Sequence, residues 1–448
     1  MRRRPHWEPL ALFADEDGQV FEHPRMRLLG RAAEAWVEPQ AEEMVPLPGG
    51  ASLVMVPQYY PVGLATDSEQ VVCLQTNPLL GHGRVYAVAA LLPQGFTRTY
   101  LPAMVAPAQQ ARLPMLGYAA VGLVNDEVWV AATQIDGHRR WHPRFYNTPG
   151  LERRICARLS RHPENRILQQ LAGCARRYSC FTAQNVFYER WEGGIPTMPA
   201  CNAACLGCIS EGHEGGESPQ HRLAFVPSVE EIVEVGLHHL EKARQGIVSF
   251  GQGCEGEPAL NGERLAEAIA RMRGTTAKGT INMNTNAGCQ QGVRAVVDAG
   301  LDAMRVTIFS CHPEHYRTYH RPSGYDLGDV EESIAYAKAR GVFVSINLLV
   351  FPGFTDRVEE VALLEEFIRR TGVDMVQLRN LTIDPEVLAQ TFPAAGETLG
   401  IVGLIGRLRA LPRLRVGGYT HPVRAGEEGP DAHWQCIAMR KGQGDYDK

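Results

Sequence analysis

The sequence lacks a long apolar segment. No run of about eighteen apolar residues occurs in its 448 residues, so no helix is expected to span a membrane. The basic start, Met1 to Trp7, is not followed by an apolar stretch, and we expect no secretory signal peptide. An excess of basic charge is also missing, because the net charge is −5 and the pI is about 6.3. A cytoplasmic location is therefore predicted, and nucleic acid is disfavoured as a partner.

A regular disulfide framework is missing as well. The 11 cysteines are odd in number and irregularly spaced, which favours reduced thiols and metal ligation. Hydrophobic residues make up 44% and charged residues 21%, the composition of a globular protein. The length fits two domains better than one.

The chain divides into four predicted segments: a β-rich N-terminal domain (1–150), a helical linker (151–195), a barrel (196–424) and a polar tail (425–448). Short apolar runs separated by turn residues predict strands in the first segment, at 52–57, 71–74, 84–90 and 127–133. Apolar residues at helical spacing predict two short helices in the linker, separated at Pro163. No active-site motif is recognisable before residue 151.

Strands and helices alternate in the third segment, a pattern typical of parallel βα units. Together they predict an α/β fold, a partial (βα)6 barrel with about three-quarters of the units of a full eight-unit barrel. The predicted strands are 195–200, 246–250, 280–286, 303–310, 343–350 and 375–381, and the predicted helices are 262–273, 291–298, 327–340, 357–370 and 399–411.

A cysteine loop follows the first predicted strand, with thiols at Cys201, Cys205 and Cys208. Thiolates suit zinc or iron–sulfur clusters, and three of them hold three corners of a four-iron cluster. No fourth Cys or His lies at ligand spacing, which leaves one metal position open for chemistry. A structural zinc loop completed by a distant residue is the alternative.

The Cys-x3-Cys-x2-Cys spacing resembles the signature of the radical S-adenosylmethionine (SAM) superfamily. The resemblance implies that the three cysteines are the metal ligands and the catalytic residues, that a 4Fe-4S cluster and SAM are the cofactors, and that the open iron binds SAM. It further implies an enzyme that cleaves SAM reductively to a 5′-deoxyadenosyl radical, which abstracts hydrogen from a peptide, protein or small-molecule substrate. An electron donor such as ferredoxin or flavodoxin is expected as a partner.

Further motifs stand at the ends of later predicted strands. Glu255-Gly-Glu-Pro258 resembles the Gly-Gly-Glu-Pro motif of the superfamily, with Glu255 in place of the first Gly, and Asn284-Thr-Asn286 resembles its Thr-Asn-Gly element. Gly207 stands where an aromatic residue is common. By this resemblance the SAM-binding residues are expected to be Gly256, Glu257, Asn284, Asn286, Ser310, Asn347 and Arg379. The alternatives are an ordinary Gly-rich βα turn and polar residues that only pack inside the barrel.

Several alternatives stay open. The open side of the barrel is closed by the N-terminal domain, by 212–221 or by the His- and Tyr-rich loop 312–322, which is otherwise a solvated loop. Cys174 and Cys180 belong to a second metal site if two further ligands come from Cys254, Cys311 or Cys436, and are otherwise plain buried or surface thiols. The chain is alternatively an RNA-modifying member of the superfamily, or a metal-stabilised or electron-carrying protein without catalytic activity.

Overall fold

A computed structural model describes residues 7–107, 113, 116–137, 139–211 and 218–424. The polar tail predicted for 425–448, including Cys436, lies outside these residues. None of the helices in the described part is long and apolar enough to cross a membrane.

The N-terminal region is β-rich, as predicted. Eleven of its strands form one antiparallel sheet, and two smaller sheets join β10 to β16 and β11 to β3 and β4 within the described residues. The strands are β1 (Leu10–Ala14), β2 (Val20–Leu28), β3 (Gly30–Ala32), β4 (Ala35–Val37), β5 (Val45–Pro46), β6 (Ser52–Val56), β7 (Tyr60–Ala65), β8 (Val71–Cys73), β9 (Tyr86–Leu91), β10 (Phe96–Arg98), β11 (Leu101–Pro102), β12 (Met104–Val105), β13 (Tyr118–Ala119), β14 (Val121–Val124), β15 (Glu127–Val130) and β16 (Ala132–Gln134).

The local sequence explains the central hairpin of this sheet. Strands β14 and β15 are joined by Asn125 and Asp126, whose φ angles are 50° and 62°. Positive φ at both central residues defines the tight turn that matches the twist of two antiparallel strands, and Asn and Asp tolerate it. Short 3-10 helices at Ala41–Glu43, Arg139–Trp141 and Pro143–Phe145 complete this region.

Three helices connect the two regions: α1 (Leu151–Arg161), α2 (Arg166–Arg177) and α3 (Phe181–Tyr188). The break predicted at Pro163 is confirmed. Asn165 caps α2, because its side chain accepts a hydrogen bond from the Leu168 backbone N–H at 3.0 Å.

Seven parallel strands form the second sheet, and their spatial order follows the chain, with a helix between each consecutive pair. This confirms the partial α/β barrel, which gains a short seventh strand. The strands are β17 (Arg190–Gly194), β18 (Arg244–Phe250), β19 (Thr280–Thr285), β20 (Ala303–Ile308), β21 (Phe343–Val350), β22 (Met375–Asn380) and β23 (Arg415–Gly417). The helices are α4 (Val229–Lys242), α5 (Gly262–Thr275), α6 (Gln290–Asp298), α7 (Pro313–His320), α8 (Leu327–Ala339), α9 (Val358–Thr371), α10 (Pro385–Thr391) and α11 (Gly400–Arg409), with a 3-10 turn at Pro258–Asn261.

The first barrel strand differs from the prediction. It is β17, whereas the predicted strand 195–200 is an extended segment outside the sheet. Ile195 still donates its N–H to the Ser249 carbonyl at 2.9 Å, but Pro196 and Pro199 lack an N–H and stop the ladder there. The carboxyl end of the first strand therefore comes earlier, and a longer loop leads to the cysteines.

The predicted loop 312–322 is also corrected, because most of it is helix α7. His312 precedes Pro313 at the first helical position, a favourable helix start. Helix α4 was not predicted, although Ser228 and Glu231 form a capping box at its start.

The N-terminal region contacts the barrel at β22, the strand next to the edge strand β23. Arg98 is fully buried, and its guanidinium donates to the carbonyls of Tyr118 at 3.1 Å and Leu381 at 2.5 Å. Its backbone N–H donates to Asn380 Oδ1 at 2.9 Å. Burial lowers the pKa of Arg98 to about 9. One side chain thus joins the two sheets.

Replacing Arg98 with Met tests this junction. We expect Arg98→Met to lower the free energy of unfolding by about 3 kcal/mol, because two buried carbonyls lose their donor. Guanidinium-induced unfolding of the full chain measures the loss. The exposed Arg144 is the control, since Arg144→Met removes the same charge without leaving a buried carbonyl unpaired. Equal losses in the two variants would contradict the role of Arg98.

Candidate functional site

The cysteine loop lies across the C-terminal end of α7. The backbone N–H of Ala204 donates to the carbonyl of His320 at 3.1 Å, and that of Leu206 donates to the carbonyl of Tyr319 at 3.0 Å. These bonds hold the loop between Cys201 and Cys208 at the carboxyl end of the barrel strands, where parallel α/β barrels place their chemistry.

The three thiols are half-buried and close enough to act on one another. Burial raises the pKa of Cys201 to about 11, and the charge of Glu257 adds to this effect. Burial also raises the pKa of Cys205, and the charges of Cys208 and Cys201 raise it further. The loop therefore concentrates three thiols, and Cys201 and Cys205 need a nearby cation to become thiolates.

Hydrogen-bond donors approach two of the sulfurs. His320 Nδ1 lies 3.3 Å from Cys205 Sγ, and His320 Nε2 accepts the Phe309 backbone N–H at 3.2 Å. Since Nε2 accepts, the proton of the neutral ring is on Nδ1, which donates to the sulfur. Burial lowers the pKa of His320 to about 3 and keeps the ring neutral. Arg222 Nη2 lies 3.8 Å from Cys208 Sγ.

This donor set fits a cluster better than a single ion. In the described ranges, no three or more His, Cys, Asp or Glu side chains group closely enough to hold one metal ion. A four-iron cluster is held at separate corners, one thiolate to each, and its sulfurs take hydrogen bonds from the surrounding protein. Three neighbouring thiols with outer donors meet those requirements.

The Glu255 carboxylate binds the segment that leads into the cysteine loop. Its Oε2 accepts hydrogen bonds from Thr197 N at 2.7 Å, Thr197 Oγ1 at 2.9 Å and Met198 N at 3.1 Å, and its Oε1 accepts from Gly251 N and Gln252 N. Burial raises the pKa of Glu255 to about 7. From the sequence, Glu255 was predicted only to depart from the Gly-Gly-Glu-Pro motif. A carboxylate at a glycine position of a turn could have indicated that it binds the neighbouring backbone.

Gly256 and Glu257 pack against the same entry segment. The N–H of Gly256 donates to the Met198 carbonyl at 2.7 Å, and that of Glu257 donates to the Ala200 carbonyl at 2.8 Å. A Cβ at Gly256 would lie 2.0 Å from the Ala200 carbonyl oxygen, so only glycine fits this approach.

The Glu257 carboxylate, which is 3% exposed, connects this turn to β19. It accepts from Thr285 Oγ1 at 2.5 Å, from Asn286 N at 2.7 Å and from Ala259 N at 3.0 Å. Burial raises its pKa. Asn286 Nδ2 in turn donates to Asn202 Oδ1 in the cysteine loop at 2.7 Å. The structure thus brings Gly256, Glu257 and Asn286 to the cysteines.

The other predicted SAM ligands lie further along the sheet. Asn284 donates to the Phe250 carbonyl at 2.9 Å, and Asn347 donates to Thr307 Oγ1 at 3.2 Å. Ser310 instead donates to Glu360 Oε2 of α9 at 2.6 Å, which ties it to the helical layer. Arg379 donates to the Gly418 carbonyl at 2.9 Å. None of these contacts tests SAM binding, and the assignments stay predictions.

The glycine at position 207, where an aromatic residue is common, finds an explanation here. A Cβ at Gly207 would lie 2.6 Å from the Tyr319 hydroxyl and 2.9 Å from Leu381 Cδ1. Tyr319 and Leu381 therefore occupy the space beside the loop where an aromatic side chain at position 207 would lie.

The second metal site suggested for Cys174 and Cys180 gains no support. Cys174 and Cys254 hydrogen-bond to each other, and Cys180 lies close enough for its charge to act on Cys254. These thiols are not among any metal-holding group that the described residues form.

The fold and the site together define a class: a partial parallel barrel that carries a three-cysteine loop at the carboxyl ends of its strands. Residues 195–364 match the sequence profile of the Radical SAM superfamily. The match confirms the predicted resemblance for this segment and the cofactors that the superfamily uses, a 4Fe-4S cluster and SAM. Arg379 lies beyond the matched segment.

Similar proteins include GTP 3′,8-cyclase of Aquifex aeolicus (strain VF5), 30% identical over 183 residues that cover 40% of this chain and 53% of the relative. The FeMo cofactor biosynthesis protein NifB of Klebsiella pneumoniae is 24% identical over 206 residues, 43% of each chain. This chain thus spans about half the length of these relatives. A crystal structure of methylornithine synthase shares 17% identity and a TM-score of 0.34 over 61% of this chain and 87% of that one, which is too loose a superposition to support an inference.

Replacing Glu255 with Gln tests the fastening of the loop entry. An amide nitrogen would face backbone N–H donors in place of an acceptor, so we expect Glu255→Gln to lower the free energy of unfolding by about 3 kcal/mol and to reduce iron bound after anaerobic reconstitution. Chemical denaturation and iron analysis measure both. The exposed Glu263→Gln is the control. Unchanged stability and iron content would contradict the role given to Glu255.

A matched pair of variants tests the bond from His320 to Cys205. Asn places an amide donor near the position of Nδ1, whereas Gln reaches the position of Nε2 and leaves the sulfur without its donor. A donor to the sulfur favours the reduced cluster, which carries more negative charge, so losing about 1 kcal/mol of that preference lowers the midpoint potential by roughly 40 mV. We expect His320→Gln to lower the reduction potential of the reconstituted cluster by about that amount, and His320→Asn to keep it. Redox titration followed by electron paramagnetic resonance distinguishes them, and equal potentials in both variants would rule out the donor.

Proposed function

We propose that this chain is a radical SAM enzyme whose cluster is held by Cys201, Cys205 and Cys208. When bound, the cluster supplies one electron that cleaves SAM into methionine and a 5′-deoxyadenosyl radical, which takes a hydrogen atom from the substrate. The observation that carries the proposal is the cysteine loop itself: three neighbouring thiols, with donors on two sulfurs, at the carboxyl end of a parallel barrel.

The neighbourhood of Gly256, Glu257 and Asn286 supports a SAM site beside the loop. Asn286 and the Glu257 carboxylate form a continuous hydrogen-bonded chain to Asn202. In this proposal Gly256, Glu257 and Asn286 would hold SAM beside the loop, and the Glu257 carboxylate would offer its remaining acceptor capacity to a cationic group. The contacts of Ser310 with Glu360 make it the weakest of the predicted ligands.

The substrate class in this proposal is a peptide, a protein or a small molecule, with ferredoxin or flavodoxin as electron donor in the cytoplasm. The N-terminal region contacts the barrel through Arg98 and Gln94, which supports a part in closing the open side. Nothing in the described residues favours the RNA-modifying alternative. The match to the Radical SAM superfamily counts against a non-catalytic protein.

Alanine variants of the cysteines test the function. After anaerobic reconstitution with iron and sulfide, the protein is expected to release 5′-deoxyadenosine from SAM when dithionite is added. Cys201→Ala, Cys205→Ala and Cys208→Ala are each expected to lose the product and the brown colour of the cluster, because each removes one of three ligands. Chromatography of the quenched reaction measures the product.

The exposed Cys73 in β8 provides the matched control, and Cys73→Ala is expected to keep both cluster and product. Product formation that survives in the three loop variants would refute the assignment. A colourless protein that binds zinc and no iron would do the same.

A further inference from the structure

The interior of the barrel is polar. Side chains from strand after strand form hydrogen bonds across it, whereas the outward side chains of the same strands are buried apolar residues packed under the helices. The inward polar residues include Glu192, Ser249, Asn282, Asn284, Arg305, Thr307, Ser345, Asn347, Gln377 and Arg379. Two of them, Arg305 and Arg379, are arginines, and both are partly buried cations.

Arg305 is held from one side. Its Nη1 donates to Gln377 Oε1 at 3.2 Å and to Thr420 Oγ1 at 2.9 Å. Its Nε is shielded from solvent and has no hydrogen-bond partner in the described part of the chain. Both accepting groups are neutral, so neither balances the charge of the guanidinium.

Arg379 is held in a similar way. Its Nη1 donates to the Gly418 carbonyl at 2.9 Å and to Gln94 Oε1 at 3.4 Å, which are again neutral acceptors. Burial lowers the pKa of Arg379 to about 10, the charge of Arg305 acts in the same direction, and Glu192 opposes both. The two guanidinium groups are therefore close enough to repel each other.

No carboxylate lies within ion-pair distance of either arginine among the residues that the structure describes. Glu192 is the acid whose charge acts on both, but its Oε1 already accepts from Ser249 Oγ at 2.7 Å and Gln252 Nε2 at 3.3 Å. Two partly buried cations that face one hydrogen-bonded carboxylate leave an excess of positive charge. Such an arrangement is costly unless an anion enters.

An unused acceptor stands in the same interior. Asn347 Oδ1 is buried without a partner in the described residues, while its Nδ2 donates to Thr307. Buried polar atoms in native proteins nearly always have a hydrogen-bond partner. The unpaired donor Arg305 Nε and the unpaired acceptor Asn347 Oδ1 therefore indicate that a polar ligand binds in this interior.

We propose that Arg305 and Arg379 form an anion subsite inside the barrel that holds a phosphate or carboxylate group of the substrate. The planar guanidinium offers paired N–H donors that match both groups. The inference deepens the proposed function and rests on it, since it takes the barrel interior as the place where the substrate binds. It also departs from the SAM-carboxylate role predicted for Arg379, and the experiment separates the two.

Equilibrium binding of two simple anions tests the subsite. Sodium phosphate and sodium acetate are titrated separately into the full-length, cluster-reconstituted protein at constant ionic strength, and heat and the shift in melting temperature are recorded. We expect at least one of the two to bind, and Arg305→Gln and Arg379→Gln each to weaken that binding about tenfold or more. Phosphate binding alone indicates a phosphorylated substrate, and acetate binding alone a carboxylate.

Two controls keep the result interpretable. Arg305→Lys retains the charge and is expected to keep part of the affinity, even if Arg305→Gln changes stability. Arg161→Gln removes an exposed charge and is expected to change nothing. Anion binding that is the same in Arg305→Gln, Arg379→Gln and the parent protein would overturn the subsite.

Competition with SAM gives the remaining distinction. We expect the anion to bind equally well in the presence of saturating SAM. Displacement of the anion by SAM would overturn the subsite as a substrate site and would assign the arginines to the SAM carboxylate. Release of 5′-deoxyadenosine from SAM is measured on the same samples: its presence without anion binding refutes only the subsite, and its absence with anion binding intact refutes only the proposed reaction.

Discussion

The five hydrogen bonds that converge on the Glu255 carboxylate are the interaction on which the rest of the site depends. They join the turn after β18 to the segment that leads into the cysteines, two pieces of chain separated by more than fifty residues. A buried carboxylate is costly on its own, and a full set of donors offsets that cost. At Gly256 the two backbones approach so closely that a side chain has no room. These contacts thus determine where the chain enters the cysteine loop.

A second support acts from the opposite side of the loop. Helix α7 offers the carbonyls of Tyr319 and His320 to the loop backbone and the imidazole of His320 to Cys205. Because the Phe309 N–H donates to His320 Nε2, the ring proton lies on Nδ1 and is donated to the Cys205 sulfur. A site held by rigid elements on two sides loses little entropy when it takes up its cofactor.

Patterns with short range in the sequence were predictable, and contacts between distant residues were not. Strand β21 was predicted with the bounds that the structure shows, because a short run in which apolar residues alternate with Ser345 and Asn347 is typical of a strand. The first strand was misplaced, since apolar residues at 195–198 outweighed the two prolines that prevent pairing. The three cysteines stood out through their spacing alone. Glu255 and His320 did not, because their partners lie 58 and 115 residues away.

The N-terminal region is connected to the chemistry by charge as well as by packing. Arg98 and Gln94 belong to that region, and they contact β22 at Leu381 and Arg379. Gly418, which also binds Arg379, lies against Gly95 of the same segment. Any rearrangement of the 94–98 segment therefore changes the acceptors around a barrel arginine. A guanidinium with fewer neutral acceptors attracts an anion more strongly. In the proposed anion subsite, the N-terminal region would therefore influence how tightly Arg379 holds a charged group.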